Sequence, residues 1–172
     1  MNIPNILTLF RMFLIPVFIL IFFSGIKNSF LFSTIIFFIA GITDVLDGYL
    51  ARKYNIVTKW GVVLDPLADK LMLITVLSCL TIDNMIPYWM LLIVTSKELA
   101  MIIAGAILYN KDFIIPSNIF GKVATCMFYL AIFILIFNEQ YGRYFLDIAI
   151  GSAIIAFFNY LIFYLKQNKV KK

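Results

Sequence analysis

Long apolar runs occupy most of this chain and constrain its fold more than any other feature. The 172 residues are 63% hydrophobic and 13% charged, with a mean hydropathy of +1.02. A soluble domain is far more polar, whereas a helix needs about 20 mainly apolar residues to cross a bilayer. The sequence therefore predicts an all-α integral membrane protein, a single domain over residues 1–172 with six transmembrane helices. Their predicted bounds are 9–23, 30–50, 60–80, 86–109, 117–137 and 144–165.

The basic residues are unevenly shared between the two ends of these predicted spans. Pro4 and Asn5 favour a helix start, so residues 1–10 predict an interfacial segment that leads into the first span. Loops on the cytoplasmic side carry an excess of Lys and Arg. One set of flanks holds only Lys27 and Arg143, so we expect both termini on the opposite, cytoplasmic side of the cell membrane. The flanks on that side hold Arg11, Arg52, Lys53, Lys59, Lys111, Lys166, Lys169, Lys171 and Lys172.

Four of the nine acidic residues lie in predicted spans two and three. Asp44 and Asp47 share one helix face, as do Asp65 and Asp69, because residues three or four apart are neighbours on a helix. Counted from the loop between the spans at 1.5 Å per residue, Asp47 and Asp65 lie about 9 Å deep, and the other two about 14–15 Å. An Asp at the centre of a membrane helix costs about 2.5–3.5 kcal/mol. Because carboxylate oxygens are natural ligands of hard divalent cations, the sequence predicts a metal site reachable from the cytoplasm.

These aspartates belong to a longer pattern with fixed spacing. It reads Asp44-x2-Asp47-Gly48-x2-Ala51-Arg52-x8-Gly61-x3-Asp65-x3-Asp69. This pattern resembles the complete signature of the CDP-alcohol phosphotransferases, a family of six-helix membrane enzymes, and the resemblance covers the whole chain. It implies transfer of a phosphatidyl group from CDP-diacylglycerol to an alcohol, with release of CMP and two bound Mg²⁺ or Mn²⁺ ions. The four aspartates are then the metal ligands, with Asp69 also the catalytic base, since the chain contains no histidine.

The remaining positions of the pattern are assigned to the CDP moiety by the same resemblance. Gly48 and Ala51 leave room for the nucleotide to lie against the second helix. Arg52 ends that helix at the water boundary, where a guanidinium can bind phosphate oxygens. Gly61 allows the third helix to approach the second. The family resemblance also favours a homodimer.

The acceptor alcohol is predicted from weaker features. Residues 2–11 are similar to the start of bacterial family members that use glycerol 3-phosphate, which makes it the predicted acceptor and phospholipid biosynthesis the predicted role. Lys97 and Lys122 are the candidate acceptor-binding residues. However, those members usually carry Arg-Glu in place of Lys97-Glu98 and a second Lys in place of Ala124. Another acceptor such as phosphatidylglycerol, as in cardiolipin synthases, therefore stays open, and so does a structural pairing of Lys97 with Glu98.

Three other interpretations of the aspartates also stay open. They can pair with Lys59 and Lys70 and simply hold helices together, or they can line an ion pathway, which makes a cation-coupled transporter the non-enzyme alternative. Membrane prenyltransferases also use paired Asp motifs, but they lack the Gly-x2-Ala-Arg continuation. No nucleic-acid motif is present, so anionic lipids and phosphate-bearing substrates are the expected partners of this basic chain. The two cysteines, Cys79 and Cys126, are predicted to be buried and inert.

Overall fold

The computed structural model describes residues 3–54, 59–109 and 119–170, and these residues form six helices and no strand. The all-α prediction is therefore confirmed for this part of the chain. The helices are α1 Ile3–Phe22, α2 Ser29–Tyr54, α3 Lys59–Ile82, α4 Tyr88–Tyr109, α5 Ile119–Phe137 and α6 Glu139–Val170. Inside the helices, the side chains at 3–5, 51–52, 59–63, 65–66, 103–109, 119–120, 160 and 163–170 lie outside the description.

The predicted spans correspond one to one with these helices. Agreement is close for the second to fifth spans, and the sixth helix is longer than predicted at both ends. The predicted interfacial segment is helical from Ile3 and continues without a break into the first span, up to Phe22; its interfacial position stays a prediction. The loop at 55–58, through which the depths of the aspartates were counted, lies outside the described residues, as does Lys111.

Several features of the described helices are those of a membrane protein. Two segments, Ser29–Leu50 and Glu139–Asn159, are long and apolar enough to cross a bilayer, and Ile6–Phe22 and Gly121–Phe137 are shorter apolar helices. Large apolar side chains are also exposed along the helices; Leu20, for example, is 71% exposed. An apolar surface of this extent is typical of lipid contact. Six spans and cytoplasmic termini remain predictions.

The helix contacts divide the chain into two compact units, Met1–Pro87 and Tyr88–Lys172. In the first unit, α1 packs against both α2 and α3, and α2 also contacts α3. Phe18 of α1, Phe37 of α2 and Leu77 of α3 are almost fully buried in the core of this unit. Helix α1 is thus in contact with both helices that carry the aspartate pairs.

A left-handed residue ends α3 close to its predicted end. Asn84 has a φ of 58°, and its N–H donates to the Thr81 carbonyl at 3.1 Å. The Met85 N–H donates to the Leu80 carbonyl at 2.9 Å. These two bonds form a Schellman cap, which satisfies carbonyls that the helix end would otherwise leave without partners.

In the second unit, α5 and α6 form a tight antiparallel hairpin, and α4 packs on α6. Asn138 is the single residue between α5 and α6, and its Oδ1 accepts the Tyr141 N–H at 3.1 Å as an N-cap. A Cβ added at Gly142 would lie 2.7 Å from the Leu135 Cα. The hairpin therefore depends on a residue without a side chain at this position.

The prediction that both cysteines are buried is correct for Cys79 and wrong for Cys126, which is exposed. Helix α5 buries Ala124, Phe128 and Ala131, which follow the four-and-three spacing of one helix face. Cys126 lies two residues from Ala124 and from Phe128, which places it on the opposite side of the helix.

Candidate active site

The buried face of α1 carries a charged residue. Thr8, Arg11, Leu14, Phe18 and Phe22 are all buried, at the three- and four-residue spacing of a single helix face. This face packs against α2 and α3, so the Arg11 side chain points into the first unit and is only 1% exposed. A guanidinium in such a position requires partners of opposite charge.

The buried face of α2 carries Asp47. Phe37, Ala40, Thr43 and Asp47 are all buried, and they follow one another at helical spacing. Asp47 is 2% exposed, while the Asp44 side chain, one turn earlier, is 40% exposed. The two carboxylates of this pair thus differ in environment, one enclosed by the protein and the other at its edge.

Arg11 joins the two carboxylates. Its Nη1 lies 2.7 Å from the Asp44 Oδ1, and its Nη2 donates a hydrogen bond to the Asp47 Oδ2. The planar guanidinium presents its N–H groups in a fixed fork, so one arginine can bind two carboxylates at once in a defined geometry. Asp44 and Asp47 therefore converge on a common cation, as the sequence predicted for this pair.

Sequence reasoning missed the role of Arg11, which it counted only as a flanking charge on the cytoplasmic side. A usable signal was present in the sequence, because Arg11 falls on the same helix face as Leu14 and Phe18. A charged residue on an apolar helix face calls for a buried partner. The partner itself is 36 residues away in sequence and became visible only when α1 packed on α2.

The second aspartate pair lies on α3. Asp69 is half-buried, beside the core face formed by Ala68, Met72 and Val76. Asp65 precedes Asp69 by one helical turn on the same face of α3, and its side chain lies outside the description. Whether all four carboxylates meet thus stays a prediction.

The predicted nucleotide residues lie on the same two helices. Gly48 follows Asp47 on α2 and is half-buried. Ala51 and Arg52 lie in the last turns of α2, and Gly61 lies in the first turn of α3. The side chains of Ala51 and Arg52 and the surroundings of Gly61 are outside the description, so their contacts with CDP stay predictions.

The predicted acceptor residues lie in the second unit. The Lys97 side chain is 13% exposed, and its Nζ donates to the Glu98 Oε1, with the Glu98 side chain 5% exposed. The structural pairing that the sequence left open is therefore present. Lys122 is exposed near the start of α5, and Ala124, where a second Lys is usual, is buried.

The described donor set fits a divalent metal in its chemistry. Asp44 and Asp47 supply hard carboxylate oxygens, the ligands that Mg²⁺ and Mn²⁺ prefer, and they already converge on one cationic group. Among the described side chains, no group of three or more Asp, Glu, His or Cys residues is arranged to hold a metal ion. The sequence predicts Asp65 as a further ligand, and its side chain is not among the described ones.

A family model described as CDP-alcohol phosphatidyltransferase matches residues 1–163, and the chain belongs to this family. The family resemblance of the Asp44–Asp69 pattern and the prediction of an enzyme are thereby confirmed.

Curated relatives match this chain, two of the following three over most of its length. A relative from Wigglesworthia glossinidia brevipalpis is 35% identical over 95% of this chain and 93% of its own length. One from Bacillus subtilis (strain 168) is 34% identical over 89% of this chain and 88% of its own length. One from Haemophilus influenzae is 46% identical over 57% of this chain and 54% of its own length. All three are named CDP-diacylglycerol--glycerol-3-phosphate 3-phosphatidyltransferase.

Proposed function

We propose that the protein transfers the phosphatidyl group of CDP-diacylglycerol to glycerol 3-phosphate, which yields phosphatidylglycerophosphate and CMP. The observation that carries this proposal is the likeness to relatives named for this activity over nearly their whole length. The buried Asp47, held beside Asp44 in a helix of an otherwise apolar chain, supports it from the structure.

The residues proposed to hold two Mg²⁺ or Mn²⁺ ions are Asp44, Asp47, Asp65 and Asp69. When bound, such ions supply charge stabilisation for the attacking and leaving oxygens of a phosphoryl transfer. These carboxylates lie on two helices of the first unit that contact each other.

Asp69 is proposed as the base. Its carboxylate accepts the proton of the acceptor hydroxyl as that oxygen forms a bond to the diacylglycerol-side phosphorus, and the bond from this phosphorus to the CMP oxygen breaks. Asp69 is half-buried on α3, so it is not enclosed in the core of the first unit. With no histidine in the chain, a carboxylate is the natural group for this transfer.

The remaining predicted residues are proposed to bind the two substrates. Gly48, Ala51 and Gly61 leave space for CDP, and Arg52 binds its phosphate oxygens. Lys122 is proposed to bind the phosphate of glycerol 3-phosphate, because its ammonium group is exposed. Lys97 is proposed as the weaker acceptor-binding residue of the two, since its charge is offset by Glu98.

The enzyme is further proposed to be a multi-pass, six-span homodimer of the cell membrane, with both termini and the active site on the cytoplasmic side. The unequal distribution of Lys and Arg between the flanks supports this orientation. Water, metal and the CDP headgroup then reach the aspartates from the cytosol while the acyl chains stay in the bilayer.

The test is turnover by the purified full-length protein with labelled CDP-diacylglycerol. Glycerol 3-phosphate, inositol phosphate, serine and phosphatidylglycerol are offered in parallel, each with Mg²⁺, with Mn²⁺ or with EDTA. We expect metal-dependent release of CMP with glycerol 3-phosphate and no product in EDTA. Release with phosphatidylglycerol alone would move the protein to the cardiolipin-synthase type, and no release with any acceptor would refute the proposal.

A further inference from the structure

We propose that Arg11 is a positioning residue that holds the Asp44 and Asp47 carboxylates in the orientation in which they bind a divalent metal ion. This inference rests on the proposed function, because it assumes that the two aspartates are metal ligands. It assigns a role in the site to α1, the one helix of the first unit that contributes nothing to the Asp44–Asp69 pattern.

The contacts of Arg11 allow both carboxylates to bind metal at the same time. Arg11 engages one oxygen of each, Oδ1 of Asp44 and Oδ2 of Asp47. An ionised carboxylate has two oxygens and about four acceptor sites, so a carboxylate that accepts from a guanidinium keeps the capacity to bind a metal ion as well. Bonds from the two ends of one planar group also fix the two carboxylates relative to each other.

The position of Arg11 is set by packing and not by the aspartates alone. Leu14 and Phe18, on the same face of α1, are 7% and 1% exposed, so α1 is anchored in the core independently of the ion pairs. Arg11 itself is 1% exposed, so its guanidinium is enclosed by the same packing. The packing of α1 thus places the guanidinium beside the two carboxylates.

Groups that bond to metal-ligating side chains orient those ligands, and their loss typically weakens metal binding about 10–100-fold. Arg11 meets this description for both aspartates of α2. A purely structural ion pair would affect the stability of the protein and leave the intrinsic metal affinity unchanged. Metal affinity is therefore the measurement that separates the two roles.

The experiment measures Mn²⁺ binding to the purified full-length protein in detergent, by the loss of the free Mn²⁺ signal in electron paramagnetic resonance. We expect Arg11→Gln to weaken Mn²⁺ binding about 10–100-fold. Arg11→Lys keeps the charge without the fork and should restore the affinity only in part. Arg143→Gln is the matched control, since Arg143 forms an exposed pair with Glu139 and its loss should leave Mn²⁺ binding unchanged.

Unchanged affinity in Arg11→Gln would overturn the proposal. Tighter binding would also overturn it, because it would mean that the guanidinium competes with the metal for the carboxylates. Full restoration by Arg11→Lys would likewise overturn it, because a point charge would then be sufficient and the planar guanidinium would not be needed. Far-ultraviolet circular dichroism shows whether Arg11→Gln folds. If it does not, Arg11→Lys is compared with the unmodified protein, and equal Mn²⁺ affinities of these two refute the proposal.

The same titration separates this inference from the proposed function. If the unmodified protein binds no Mn²⁺, or if Asp47→Asn binds it equally well, the metal site of the proposed function is wrong. If Mn²⁺ binding depends on Asp47 while Arg11→Gln binds normally, the metal site stands and only the role of Arg11 fails.

Discussion

Asp44 and Asp47 share one cationic partner but differ in burial, and this difference predicts unequal losses of stability in the metal-free protein. Asp47→Asn keeps the size of the side chain and removes its charge from a site that is 2% exposed. Removing one partner of a buried ion pair costs about 3–5 kcal/mol, and in Asp47→Asn the buried Arg11 would lose this carboxylate and keep its contact with the half-exposed Asp44. Asp44→Asn removes a charge from a side chain that is 40% exposed, where an ion pair contributes about 0.2–1 kcal/mol.

The assay is thermal unfolding of each variant in detergent with EDTA, followed by circular dichroism at the helical band. For a chain of this size, 1 kcal/mol shifts the midpoint by about 2–4 °C. We therefore expect the midpoint to fall by about 6–20 °C in Asp47→Asn and by at most about 4 °C in Asp44→Asn. EDTA is essential, since a metal ion bound by both aspartates would itself raise the midpoint of thermal unfolding.

The double variant Arg11→Gln with Asp47→Asn supplies the control. Removing both charges leaves no buried ion unpaired, so the double variant should lose less stability than the sum of the two single variants. Strictly additive losses, or equal losses in Asp44→Asn and Asp47→Asn, would refute the reasoning from burial and from the shared guanidinium.

Four further predictions concern packing and catalysis. Gly142→Ala should lower stability by about 1–3 kcal/mol in thermal unfolding, because the added Cβ would meet the Leu135 backbone; Gly151→Ala, which meets nothing within 4 Å, should be neutral or stabilising. Asp69→Asn should lower turnover about 10²–10⁴-fold, the usual contribution of a general base, while CDP-diacylglycerol binding is largely kept. Lys122→Ala should raise the KM for glycerol 3-phosphate about 10-fold or more and change the KM for CDP-diacylglycerol little. EDTA should abolish turnover, and added Mn²⁺ or Mg²⁺ should restore it.

Each of these has an outcome that contradicts it. A Gly142→Ala variant as stable as Gly151→Ala would mean that the α5–α6 hairpin tolerates a side chain at position 142. Unchanged turnover in Asp69→Asn would remove it as the base. A larger effect of Lys122→Ala on the donor than on the acceptor would move the acceptor pocket elsewhere, and turnover that persists in EDTA would end the two-metal proposal.

The helices and the aspartate pairs are the parts of this protein that its sequence determines. Apolar runs of about 20 residues leave the helix as the main way to satisfy backbone hydrogen bonds in a bilayer, so six helices follow from composition and run length. The spacing of Asp44 and Asp47 places them on one helix face through local geometry alone. The family also follows from local spacing, because its signature lies within a single pair of consecutive helices.

The tertiary structure decided what local spacing could not reach. The sequence does not indicate that Arg11 binds Asp47, because the contact joins residues 36 apart and exists only when α1 packs on α2. Burial likewise separates Asp47 from Asp44, and Cys126 from Cys79, although the residues within each pair lie in similar sequence. Packing decides which face of each helix is buried. Arg11, which the sequence shows only as a charge at the flank of a span, is for this reason a buried partner of two aspartates.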